Sequence, residues 1–259
     1  MTSSGPQFIS SGGNALLKDL RRLSQDSTAY RKQGRFWLEG DHLCRAALVR
    51  GVSPQLAVFA ESLWRAADPQ WSSLECRKVV VQDALFAGLS GLESPGRIAF
   101  VLDLPPVPQV QAGMACVVLD RVQDAGNVGA ILRCAAAFGF GQVLALQGTA
   151  ALWSPKVLRA GMGSHFGLQL IEGLPVAALP ALAIPLVTTN SHRGEWLHRL
   201  RLPWPCAWVF GHEGQGVAAE IAGQAQVTAR IAQPGGEESL NVAAAAAICL
   251  HASAASRAG

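Results

Sequence analysis

Long hydrophobic runs are missing: half of the 259 residues are apolar and only 15% are charged, yet no uninterrupted apolar stretch reaches the roughly 18 residues that a membrane span needs. A transmembrane helix is therefore not expected. Met1 to Ser11 is rich in Ser and Gly and has no basic segment leading into an apolar core, so it does not read as a secretory signal. No C-x-x-C pair occurs among the six cysteines, Cys44, Cys76, Cys116, Cys134, Cys206 and Cys249. They are far apart and mostly in apolar runs, which predicts reduced core thiols in a cytoplasmic protein and argues against zinc. His42, His165, His192, His198 and His251 show no metal spacing either, so no metal is expected.

Catalytic signatures are absent in the same way. There is no G-x-x-x-x-G-K-[ST], and His212–Glu213 is not an H-E-x-x-H start, since Gly216 stands where the second His belongs. The G-x-G-x-x-G expected after an early strand in a dinucleotide-binding oxidoreductase is missing too. No repeat of fixed period is visible, which excludes a solenoid.

What remains is a chain long enough for one large domain or two ordinary ones. The net charge of +3 is small, but residues 1–50 carry Lys18, Arg21, Arg22, Arg31, Lys32, Arg35, Arg45 and Arg50 against Asp19, Asp26, Glu39 and Asp41. Such clustering suits either a solvated surface or a polyanion-binding face. The segment "LPPVPQVQAG", Leu104 to Gly113, has three prolines and no charge, as a linker should. It divides the chain into an N-terminal extension with a helix (1–26), a small α/β domain (27–103), the linker itself (104–112) and a second α/β domain (113–255).

In the first domain, strand-like "RFWLEG", "QLAVFA", "RKVVVQ" and "RIAFVLD" alternate with helical "DHLCRAALVRG", "ESLWRAA" and "DALFAGL", after an opening helix capped by Asn14. In the second, "ACVVLD", "QVLALQ", "PLVTTN", "CAWVFG" and "QVTARI" read as strands. Helical segments follow Gly126, Pro155, Val217 and Leu240. Continuous apolar strands separated by helices imply a parallel sheet covered on both faces. Ligands of such sheets bind outside the carboxyl ends of the strands.

Three strand-end segments stand out. In "DAGNVGAILR", Gly126 and Gly129 suit a tight turn, Asn127 suits a helix cap, and Arg133 follows nearly two helical turns later. In "VFGHEGQGV", three glycines surround Glu213. In "IAQPGGEESLNVAAAAAICL", Glu237 and Glu238 favour a helix start, Ser239 and Asn241 offer capping oxygens, and an alanine-rich helix follows. Each alone is explained by a cap, a flexible turn or a core helix.

Together, N-x-G-x-x-x-R, then F-G-x-E-G-x-G, then S-L-N-V-A-x-A resemble the SpoU (TrmH-type) branch of the SPOUT RNA methyltransferases over residues 112–252. Upstream, "ALLKDLRRL" and "YRKQGRFWLEGDHLCRAAL" are similar to the L30e-like substrate-binding domain that precedes many of these enzymes. The resemblance implies a C-terminal trefoil knot, S-adenosyl-L-methionine as cofactor, a homodimer with a shared RNA site, and methylation of a ribose 2'-hydroxyl. The upstream domain favours rRNA over tRNA as partner. Arg133 matches the family's catalytic arginine, with Asn127, Glu213, Ser239 and Asn241 as its polar companions. Thr189, Gly211, Ile231 and Leu240 match cofactor contacts, and Arg21, Arg22, Arg31, Lys32 and Arg35 are expected to hold RNA phosphates. Departures are His212 where Asn is common, Gln233 in place of Met, and "RAGMG" (Arg159 to Gly163) in place of R-A-S-x-G. A non-catalytic RNA-binding or ribosome-assembly factor on the same scaffold is the alternative.

Overall fold

The computed structural model describes residues 5–91, 94–236 and 239–257. The expectation for Glu237 and Glu238 lies outside these. The chain divides into two compact units, one formed by Met1–Pro106 with Trp153–Phe166 and the other by Val107–Leu152 with Gly167–Gly259.

The first unit begins with β1 (Gln7–Ile9), α1 (Ala15–Gln25), α2 (Ala29–Gln33), β2 (Arg35–Glu39) and α3 (Asp41–Val49). It continues with β3 (Leu56–Ala60), α4 (Glu61–Arg65), α5 (Pro69–Ser72), β4 (Arg77–Val81), α6 (Asp83–Ala87) and β5 (Ile98–Asp103). Its sheet has the order β1-β4-β3-β5-β2. β1, β4 and β3 run parallel, while β5 is antiparallel to both β3 and β2. Asn14 caps α1 as its sequence suggests, its Oδ1 accepting the Leu16 N–H at 2.9 Å. β1 was not legible in the sequence, because its three residues lie in the Ser/Gly-rich start and pair only along one edge.

The second unit holds β6 (Cys116–Asp120), α7 (Ala125–Ala137) and β7 (Gln142–Leu146). The chain then supplies α8 (Pro155–Gly161), which packs on β2 within the first unit. Trp153 sets its ring 4.8 Å from that of Phe36 there. This segment therefore does not belong to the 113–255 stretch in space. Its large aromatic finds an apolar partner on the other sheet, a preference that local sequence does not reveal.

The second unit resumes with β8 (Gln169–Leu174), β9 (Leu186–Thr189), β10 (Glu195–Trp196), β11 (Ala207–Gly211), α9 (Ala219–Ala222), β12 (Val227–Arg230) and α10 (Val242–Ala255). All seven strands are parallel, in the order β10-β12-β9-β11-β6-β7-β8. Five are the expected ones; β8 and the two-residue β10 are additions, and the helix after Val217 is a single turn. β6, β7 and β11 are buried throughout, which matches their unbroken apolar sequences. Each fully buried Val or Leu there contributes roughly 1.5–3 kcal/mol through removal of apolar surface from water. α10 is tied to the sheet by the buried Trp208 Nε1–H, which donates to Ser253 Oγ at 2.8 Å.

All six cysteines are free, and four are buried. Burial pushes the Cys116 thiol up to about 12, with Cys206 beside it adding to the shift. Among the described residues, no helix is long and apolar enough to cross a membrane, and no group of three or more His, Cys, Asp or Glu could hold a metal ion.

Candidate active site

The candidate site forms where β6, β11 and β12 end. β6 finishes at Asp120, which is only 2% exposed. Its carboxylate accepts from the Arg121 guanidinium at 2.9 and 3.2 Å and from the Ala218 N–H at 2.7 Å. Arg121 also donates to Gln215 Oε1 at 2.9 Å, so it fastens the loop after β11 to the end of β6. Its φ of +57° is a left-handed conformation that costs an arginine free energy and gives the chain its turn. Gly126 and Gly129 do not make that turn: both lie inside α7. Asp120 and Arg121 were not singled out in the sequence; a charged pair directly after four apolar strand residues was the available signal.

Asn127 is not the cap of α7 either. Asp124 is, accepting the Asn127 N–H at 2.7 Å. A capping oxygen one turn earlier releases the Asn127 side chain for another task. Its Nδ2 donates to Glu213 Oε1 at 3.1 Å, and its Oδ1 accepts from Asn241 Nδ2 at 2.9 Å. Asn241 caps α10, its Oδ1 accepting the N–H groups of Ala243 (2.9 Å) and Ala244 (3.2 Å). Both amide orientations are fixed by this chain of bonds. A carboxylate accepts only, and the two backbone groups donate only, so neither amide can be turned over.

Glu213 receives two further bonds, from the N–H groups of Gln123 at 3.2 Å and Asp124 at 3.1 Å. Burial acts to raise its pKa, but the bonds from the Asn127 side chain and from the Asp124, Glu213 and Gln123 backbone outweigh it and hold the carboxyl below its ordinary range. One carboxylate thus joins the motif-one turn to the motif-two loop, and Asn127 extends the link to motif three.

The loop around Glu213 is shaped by two neighbours. A Cβ on Gly211 would lie 2.2 Å from the carbonyl carbon of Gly216 and from the Val217 N, so only glycine fits there. His212 turns its Nδ1 inward to accept from the N–H groups of Gly214 (3.0 Å) and Gln215 (3.2 Å). That is the bonding an asparagine oxygen would give in the same turn. The departure at His212 is thereby accounted for as a brace.

Arg133 forms no hydrogen bond with this cluster. It is exposed on α7 and has no hydrogen bond or ion pair among the described residues. Ser239 is exposed and likewise without a hydrogen-bond partner among them. Thr189, Gly211 and Ile231 lie at the ends of the neighbouring strands β9, β11 and β12, and Leu240 is 39% exposed. Gln233, in the loop after β12, has a buried Oε1 with no hydrogen-bond partner among the described residues. In the first unit Arg22, Arg31 and Lys32 are exposed. Arg21 is engaged with the Gly88 carbonyl at 3.1 Å, Arg31 Nε with the Tyr30 hydroxyl at 3.1 Å, and Arg35 with Asp19.

Residues 114–251 match the model of the SpoU rRNA Methylase family. The 23S rRNA (guanosine(2553)-2'-O)-methyltransferase RlmP of Bacillus subtilis is 30% identical over 94% of this chain and 97% of its own length. An AdoMet-bound rRNA methyltransferase from Sinorhizobium meliloti superposes with a TM-score of 0.80 at 26% identity, covering 95% of this chain and 96% of that one. A solved RNA 2'-O ribose methyltransferase superposes with a TM-score of 0.83 at 27% identity, covering 98% of this chain and 100% of that one.

Proposed function

Since the chain belongs to the SpoU rRNA methylase family, we propose that it is an RNA methyltransferase that uses S-adenosyl-L-methionine to methylate a ribose 2'-hydroxyl, in rRNA ahead of tRNA, in the cytoplasm. The observation that carries this reading is the Glu213–Asn127–Asn241 chain of hydrogen bonds, which draws all three motifs into one constellation at the carboxyl ends of a parallel sheet.

The residues at the strand ends suit the cofactor. Thr189, Gly211 and Ile231 bring main-chain groups of three neighbouring strands to one place, and exposed Leu240 offers an apolar cover for a flat ring. The unpartnered Gln233 oxygen is an acceptor that a ligand amine would satisfy. Bound there, S-adenosylmethionine supplies an electrophilic methyl group.

The protein must orient a weakly nucleophilic hydroxyl and stabilise the charge that develops on its oxygen. Asn127 and Asn241 have their side-chain oxygens and one N–H each committed inside the protein, so we assign them, with Glu213, to positioning. Arg133 and Ser239 are uncommitted and take the contact with substrate. The guanidinium stays protonated and acts by hydrogen bonding to the hydroxyl and its neighbouring phosphate rather than by removing a proton; the hydroxyl proton leaves to water.

The same reading includes the family's trefoil knot and a homodimer. α10 is apolar apart from His251 and Ser253, with Ile248 41% exposed, and an exposed apolar side chain on so apolar a helix invites cover. α7, which carries Arg133, packs against α10, so a second copy seated there would meet Arg133 and complete the site between subunits. The test is transfer of labelled methyl to rRNA by the purified protein, with mass-spectrometric identification of the modified nucleotide. A 2'-O-methyl product supports the reading; base methylation, or RNA binding without transfer, overturns it.

A further inference from the structure

At the outer edge of the second sheet runs a segment to which the proposed chemistry gives no task. Residues 190–201, "NSHRGEWLHRLR", carry Arg193, Arg199 and Arg201 against Glu195 alone. Strand register locates it: Thr189 is level with Ala229 and Ala229 with Glu195, so β10 joins the sheet at the carboxyl ends of the strands, where Thr189 and Ile231 sit. Gly194 permits the crossing, with φ +104° and a Cβ position only 2.3 Å from the Thr228 carbonyl oxygen. The Asn190 Oδ1 fixes the turn that precedes it by accepting the N–H groups of His192 (2.8 Å) and Arg193 (3.0 Å).

The side chains offer positive charge beside an aromatic ring. Trp196 stands opposite Arg230 across the strands, and that guanidinium lies 4.4 Å from the centre of the indole ring. The His198 ring stacks on the same indole at 6.4 Å and 22°. Arg193, Arg199 and Arg201 are exposed. None of the four arginines meets a carboxylate among the described residues. Three arginines against one carboxylate within twelve residues leave net positive charge, and the phosphates of a nucleic acid are the partner that such charge attracts.

We propose that this segment, Arg193, Arg199 and Arg201 together with the Arg230 that Trp196 braces, is a binding site for the phosphate backbone of the RNA substrate. The assignment rests on the reading of the protein as an RNA methyltransferase. It adds a second basic surface, on the methyl-transfer unit itself, that positions RNA without reading its sequence.

The test uses the full chain and a labelled large-subunit rRNA fragment, with affinity measured by fluorescence anisotropy across a salt series. In the triple variant R193A/R199A/R201A, affinity falls about tenfold or more at low salt and the slope of log K against log salt shrinks by about two, because each lost phosphate contact removes the release of bound counterions. S-adenosylmethionine binding by calorimetry stays at the wild-type value, which controls for folding. The lysine triple R193K/R199K/R201K keeps most of the slope. An unchanged slope in the alanine triple overturns the proposal, even if methyl transfer proceeds. A reduced slope in a protein that transfers no methyl group upholds this edge and overturns the enzymatic reading instead.

Discussion

In the first unit Arg35 meets Asp19, Arg45 meets Asp41 and Asp68, and Arg65 meets Glu61, whereas in the second unit Arg121 alone meets a carboxylate among the described residues. Sequence alone does not reveal this pairing: the basic cluster is densest in residues 1–50. Formal charge is a property of composition; charge available to a polyanion is what remains after internal acids have been matched. By that measure Arg35, Arg45 and Arg65 offer a polyanion less than their number suggests, while Arg133, Arg193, Arg199, Arg201 and Arg230 of the second unit meet no carboxylate among the described residues. Arg121 is the informative exception, because its pairing with buried Asp120 holds the site together.

The largest effect that would sharpen this contrast is expected at Arg133. Arg133→Ala should lower methyl transfer by about 10²–10³-fold, the usual loss when one donor to a developing oxyanion is removed. Binding of S-adenosylmethionine, read by calorimetry, should stay nearly unchanged. If the inactive variant is mixed with a Ser239→Ala variant and activity returns, the two residues act from different subunits. Transfer at the wild-type rate in Arg133→Ala alone would remove it from the substrate contact.

Next comes Arg121, which tests whether a matched arginine in the second unit matters for architecture. Arg121→Ala leaves the buried Asp120 carboxylate with fewer partners and keeps a left-handed φ at a residue with a Cβ; a cost of about 1–3 kcal/mol follows. Arg121→Gly should be less destabilised, since glycine adopts that φ freely, yet both should weaken cofactor binding as the Glu213 loop loosens. Urea unfolding separates the strain from the lost pair. Equal stability of the two variants would mean that the backbone at 121 carries no strain.

Glu213 supplies a smaller effect with a defined sign. Its folded-state pKa lies below the ordinary value, so its contribution to stability is present above the unfolded pKa, near 4.5, and is lost as pH falls through the lowered folded value. Acidification below that range should release the loop, visible as weaker cofactor binding, and Glu213→Gln should abolish that pH dependence. The carboxylate is largely exposed, so the stability term itself is small.

Much of the second unit could be read in advance because its strands are apolar without interruption, and burial on both faces leaves that signature. Asn127, Glu213 and Asn241 could be named from the motifs, but their bonding could not. Asn127 has the chemistry of a cap, and only the position of Asp124 one turn earlier shows that its amide is free to bridge. β10 leaves no signal because two residues give no periodicity, and Arg230 meets Trp196 only through strand register. The place of α8 is not written in its own sequence, because Trp153 finds a partner far away in the chain, on β2.

The smallest effect is expected where the first unit's arginines are matched. The Arg35–Asp19 pair is about one-third exposed on each side, 28% and 39%, so solvent screens it. Arg35→Ala should cost at most about 1 kcal/mol of stability, and the salt dependence of RNA affinity should hardly change, because a guanidinium already neutralised by Asp19 releases no counterion from a phosphate. Asp19→Asn provides the converse: freeing Arg35 should steepen the salt slope by up to about one phosphate contact. If Arg35→Ala reduced the slope as much as one arginine of the 190–201 edge does, internal pairing would not be what separates the two units, and the N-terminal cluster would rank as an equal RNA contact.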